Sequence, residues 1–358
     1  MVAYYFYNLV MYVVSRFGLK SFFVLFLLSY PFFLYLLPET GYDFAHYQLA
    51  YESVFFEPNA PLFFRSGSPL TAEPGWFLYT GLVSFITSDF RTFLAINFGL
   101  TMVLTIIAFR KFGLKDEYTS QIIALMIPVQ FLIIYFWSPR SSLPLGFTFL
   151  FLAYLRKGNF ILAVLFAVAA TMIHSQYGLF IIFCGLYYGV MLLIEKNRNS
   201  LTRVSLPVIA GISVVTITMA LMITSFISYL DFIPSYELIN SKTRYLSVES
   251  EGFRATSILS LVFFPALLAI RWKDLSTRKE FDVVVIFVIF SFVVNAVFFY
   301  NTHLAGRLGR VSDYFLFGYF IVEFSRMIAG RNNALVVLFI LLIFPFLFAD
   351  LYPLSDFF

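Results

Sequence analysis

One cysteine, three histidines and three tryptophans are all that this 358-residue chain contains of those types, and only 12% of it is charged. A lone thiol, Cys184 in an apolar run, excludes an internal disulfide and a cysteine-rich metal site. His46, His174 and His303 show no tight ligand spacing such as His-x-x-x-His, and no metal is expected. Phosphate-cradling glycine loops and nucleophile elbows are missing too, which removes support for nucleotide hydrolysis and serine-hydrolase chemistry. The basic residues are scattered between apolar runs, so the net charge of +4 does not point to nucleic acid.

What is present is hydrophobic: 61% apolar, 21% aromatic, with a mean hydropathy of +0.87. Runs near the length of a hydrocarbon core recur, which predicts an all-α, polytopic transmembrane helix bundle read as one integral membrane domain, 1-358. Spans fall near 1-15, 20-37, 91-110, 119-137, 141-155, 159-173, 177-194, 203-229, 256-271, 281-299, 313-329 and 333-350. The first is read as a retained span, since no basic residues precede it and no small-residue cleavage site follows. Residues 76-88 are apolar but short. Counting them as a span would invert every later loop, so they are read as an interfacial or re-entrant helix opened by Pro74-Gly75.

Charge is distributed asymmetrically along these spans. With the Arg16/Lys20 turn placed in the cytoplasm, the very short inside turns hold all the basic residues except Arg65, Arg91, Arg140, Lys242, Arg244, Arg254, Arg307 and Arg310. The outside set collects most of the acids. Both termini and the two large loops, 38-75 and 230-255, then face outward as substrate-side elements.

An ionisable group at the edge of hydrocarbon costs roughly 2.5–3.5 kcal/mol on insertion scales, so outer charges with no role in orientation are functional candidates. In the first outer loop, Asp43, Tyr47 and Tyr51 are spaced four and four, one helical stripe suited to sugar rings and hydroxyls; alternatively these tyrosines are headgroup anchors. Glu73, ahead of Pro74-Gly75, is either a carboxylate held at a helix start or a solvated acid that favours the helix dipole. Arg140, in Ser138-Pro139-Arg140-Ser141-Ser142, has almost no loop to move in; its fork suits phosphate, or snorkels to headgroups. His174 ends a span as a base or as a hydrogen-bonded structural residue. Arg307 and Arg310 lie three apart, fit to clamp phosphates or to face anionic lipid.

Taken in order, these residues resemble the EpsG/Wzy-type polysaccharide polymerase family. The resemblance rests on Asp43-x3-Tyr47, Glu73-Pro74-Gly75, Arg140 at the mouth of a later span, His174 after the Arg156-Lys157 turn, and Arg310-x3-Tyr314. It runs from Tyr42 to about Tyr319, and departs from the family at Phe44, at Arg140-Ser141 and in the long spacer between Tyr51 and Glu73. It implies a GT-C-like bundle, with no cofactor, that joins oligosaccharide repeat units carried on undecaprenyl diphosphate, donor and acceptor alike, at the outer face of the bacterial inner membrane. Also implied as partners are the lipid bilayer, a chain-length regulator and the flippase of the same pathway. On this resemblance Arg140, Arg307 and Arg310 hold the diphosphate, Asp43 or His174 is the general base, Glu73 positions or rivals it, and Tyr47, Tyr51 and Tyr314 line the substrate. Another glycosyltransferase or ligase using lipid-linked sugars, or a transporter or flippase of them, are the rival classes. Candidates gathered at one face favour an enzyme over a transporter.

Overall fold

The computed structural model describes residues 2–36, 47, 48, 51, 52, 73–136, 139–195, 258–298 and 302–329. All regular structure among them is helical. The first run of helices is α1 (Val2–Ser15), α2 (Leu19–Leu36), α3 (Pro74–Ser84), α4 (Phe90–Phe112), α5 (Asp116–Phe136), α6 (Ser142–Arg156), α7 (Phe160–Ile173) and α8 (Tyr177–Glu195). Later come α9 (Phe264–Ile270), α10 (Trp272–Leu275), α11 (Phe281–Val297) and α12 (Thr302–Ala329), with a 3-10 turn at Pro139–Ser141 and a π-helical turn at Leu259–Phe263. The expected spans 203-229 and 333-350, all of loop 230-255 and most of loop 38-75 lie outside the described residues.

The other expected spans coincide with helices to within a few residues, save the last. Residues 313-329 are only the second part of α12, which starts at Thr302. Arg307, Arg310, Ser312 and Asp313 lower the hydropathy there, yet none of them breaks a helix. Among the described residues one helix, α4, is both long and apolar enough to cross a membrane, with 23 residues and an 18-residue stretch of mean hydropathy 2.1. Its rise of about 34 Å exceeds a hydrocarbon core of about 30 Å. By contrast, the 11 residues of α3 rise only about 16 Å.

Local signals explain the boundaries. Asp89 caps α4 by accepting the Thr92 N–H at 2.8 Å. The helix closes at Gly113, whose φ of 93° allows its N–H to reach Arg110 O and the Leu114 N–H to reach Phe109 O, each at 3.2 Å. Gly158 ends α6 with the same pair of bonds, and Asn159 then caps α7.

Close contacts divide the chain into two compact units, Met1–Gly178 with Phe317–Phe358, and Leu179–Leu316. In the first, α6 packs against both α4 and α7. Its approach to α4 is set by Gly146, where an added Cβ would lie 2.9 Å from Leu104 Cβ and 3.2 Å from Thr101 O. Small residues let backbones meet this closely in lipid, where apolar burial does not drive helices together. The contact is tightened by Thr101 and Ser142, whose hydroxyls lie 2.8 Å apart. Outward, α7 turns Ile161, Val164, Leu165 and Val168 to the surroundings, and α2 turns Val24, Leu28 and Phe32. Exposed apolar faces of this kind suit contact with a membrane or with a partner protein.

The two ends of the first unit differ in charge. At one end Arg156 Nη1 donates to Phe112 O at 2.6 Å, Lys111 lies over the Tyr154 ring at 4.5 Å, Ser120 Oγ donates to Ser15 O at 2.7 Å and Arg326 pairs with Glu117 at 3.2 Å. These are the turns expected inside. At the other end Tyr35 donates to Asp89, Tyr51 to Thr87 O and Asn97 to Pro139 O. In the second unit Phe180 stacks on Phe287 at 5.2 Å, Phe287 meets Phe315 at 4.7 Å and Tyr188 donates to Asp282 at 3.0 Å.

Replacing Gly146 by Ala forces α4 and α6 apart. The expected cost is about 1–3 kcal/mol, read as a lower Tm of the detergent-purified protein.

Candidate active site

At the end of the first unit away from the basic turns, three segments meet on one carboxylate. Glu73 stands immediately before α3, whose first turn tolerates Pro74 because that N–H has no helical partner. Gly75 then lies against the end of α7: an added Cβ would come 2.8 Å from Met172 C and 2.9 Å from Ile173 N. That close approach brings Glu73 to the residues following α7. His174 caps α7 in an extended conformation, φ −153°, with its own N–H still bonded to Ala170 O. Leaving the helix there turns its ring and the Ser175 backbone toward Glu73.

Both oxygens of the carboxylate are occupied. Oε1 lies 2.6 Å from His174 Nδ1 and accepts from the Ser175 N–H at 3.1 Å and the Ser175 hydroxyl at 3.3 Å. Oε2 accepts from Arg140 Nη1 at 2.9 Å. The Glu73 side chain is only 6% exposed, and that of Arg140 22%. Arg140 is itself immobilised by its 3-10 turn, since Asn97 Nδ2 donates to Pro139 O at 2.8 Å and the Tyr177 hydroxyl donates to Ser141 O. The guanidinium lies 5.8 Å from the Tyr47 ring centre, and Tyr47 stands edge-on to Trp76 at 6.0 Å.

Burial alone would raise the Glu73 carboxyl. The hydrogen bond and charge of His174, the Arg140 charge and the Ser175 N–H together outweigh it and hold the group at about 2, against an ordinary 4.5. Ionised, Glu73 accepts only, so Nδ1 of His174 is the donor; once the ring has given up its other proton, its lone pair sits on Nε2. A carboxylate behind an imidazole is the arrangement that orients a general base. Two further donors are unspent: Arg140 Nε and Gln176 Nε2 are buried without a hydrogen-bond partner among the described residues. The unspent N–H of the guanidinium suits an anion.

Of the residues expected from sequence, Glu73, Arg140, His174 and Tyr47 come together. Tyr51, one turn beyond Tyr47, donates its hydroxyl to Thr87 O at 2.6 Å and packs its ring on Phe93 at 4.5 Å, so it braces the local wall. Asp43 and His46 lie outside the described residues, as does the side chain of Arg307. Arg310 and Tyr314 belong to α12 in the second unit, where Tyr314 is buried. Sequence reading passed over Ser175, Gln176, Trp76 and Asn97. Only Asn97 carried a signal, as a polar stripe with Thr101 and Thr105 at helical spacing within an apolar run. Among the described residues no three His, Cys, Asp or Glu side chains are grouped to hold a metal ion.

Two outcomes are expected. Changing Gly75 to Ala pushes Glu73 off His174 and Arg140, lowering whatever reaction the site carries on the order of 10–100-fold in protein that still inserts. Because the Glu73 carboxyl is lowered in the fold, its stabilising contribution is complete above about pH 4.5 and is lost as pH falls toward about 2. A plot of Tm against pH should therefore decline across that window, and E73Q should flatten it.

No curated protein and no solved structure matches the chain. A family model does match it, the EpsG family, over residues 20–356. That covers nearly the whole sequence, and the chain belongs to the EpsG family.

Proposed function

We infer that the protein is a membrane polysaccharide polymerase that joins repeat units carried on undecaprenyl diphosphate. The observation that carries this reading is the ionised Glu73 gripping Arg140 through one oxygen and His174 through the other. Family membership supports the coarser statement, a glycosyltransferase-like role in polysaccharide synthesis by a membrane protein. The helices expected to span a bilayer form a polytopic bundle on this reading.

In the reaction a sugar hydroxyl of the acceptor attacks the anomeric carbon of the donor. A new C–O bond forms, the bond from that carbon to the diphosphate breaks, and the hydroxyl proton passes to His174 Nε2. Arg140 takes the negative charge released onto the leaving diphosphate, with Nε as an unspent donor. Glu73, held at about 2, is too weak a base to take the proton at neutral pH, and acts as the anion that orients His174 and Arg140. Tyr47, buried between Arg140 and Trp76, backs the guanidinium on the substrate side in this reading. Arg307, Arg310 and Tyr314 are the substrate-side candidates of the second unit.

Charge supports the sidedness of this reading: the basic turns gather at the opposite end of the first unit, as turns facing the cytoplasm do, which favours a site open to the exterior or periplasm of a bacterial inner membrane. Polymerase, ligase and transporter differ in product: a ladder, a single transfer to another acceptor, or no covalent change.

Purified protein given lipid-diphosphate-linked repeat units should build a ladder without nucleotide. R140A and H174A should each reduce it on the order of 100-fold or more while inserting normally. Full-length polymer from both variants would overturn the assignment.

A further inference from the structure

The second unit contains a carboxylate that the polymerase reading does not use. Asp313, on α12, accepts hydrogen bonds at Oδ1 from Ser260 at 3.2 Å and from Ser291. Among the described residues no cation pairs with it, and Oδ2 accepts no hydrogen bond. Oδ2 rests instead against Gly309, where an added Cβ would come 2.9 Å from it and 3.5 Å from Asn295 Nδ2. Asn295 stands one turn beyond Ser291, its Nδ2 donating to Ser291 O at 2.9 Å, so its amide oxygen is the atom left for a ligand.

Three separate elements thus contribute to one cluster: α12, α11 and the π-helical turn that carries Ser260. π-turns of this kind recur at functional sites. The donors are all hard oxygens, three of them neutral and one charged. A half-buried carboxylate with no basic partner among the described residues calls for a counter-charge, and one negative charge among neutral oxygens balances a monovalent cation rather than a divalent one. Hydroxyls and an amide gathered from three elements exceed what a single proton needs. The geometry points to a binding site for a small monovalent cation, sodium in kind, formed by Asp313, Ser260, Ser291 and Asn295.

The test is thermal unfolding of the full chain in detergent, titrated with sodium chloride against choline chloride at constant ionic strength. A saturating, sodium-specific rise on the order of 3 °C is expected at about a hundredfold excess over the dissociation constant. D313N should abolish the rise, and S260A, a milder change, should shift its midpoint to higher sodium by about tenfold. Equal curves in sodium and choline would overturn the proposal, as would a sodium response that survives in D313N. A response to pH alone, lost in D313N, would assign the carboxyl to a proton and overturn it equally.

Discussion

A buried carboxylate at the edge of an apolar body must be matched by charge, and Glu73 is matched from two directions at once. The rest of the site follows from that constraint. Arg140 could not remain 22% exposed on a short turn without an anion beside it, and His174 gains its orientation from the other oxygen of the same group. Even the backbone is committed, since the Ser175 N–H points at Oε1. Removing the carboxylate would leave a largely buried guanidinium unpaired, a loss on the order of 3 kcal/mol before any effect on chemistry.

Helix geometry carries this electrostatic arrangement across the unit. The 15 residues of α6 begin beside the 3-10 turn of Arg140 and end at Arg156, which is anchored to Phe112 O. Their rise of about 22 Å separates the site from the basic turns. The glycine-terminated ends of α4 and α6 fix where those turns fall. One helix therefore carries the candidate site at one end and the basic turns at the other.

The helices were legible in the sequence because hydropathy and short basic turns act over a local window. The site was legible only as separate residues. Glu73 and Arg140 are 67 positions apart and Glu73 and His174 are 101, so each had a sufficient local explanation: a helix dipole for the acid, headgroups for the arginine, a structural bond for the histidine. The fold replaces those explanations by giving each residue a partner. Gly75 illustrates the limit, since its value lies in Met172 and Ile173, which nothing in the local sequence associates with it. The start of α12 was missed for the reverse reason: polar residues depressed the hydropathy without disturbing the helix, and Asp313 was overlooked with them.

The central claim is that Glu73 and Arg140 act as one unit, and a double-mutant cycle on chain elongation tests it most directly. If E73Q already releases the guanidinium, the E73Q/R140A double variant should elongate no more slowly than the worse single variant. Losses that multiply would mean that the two residues act independently, and would contradict the account.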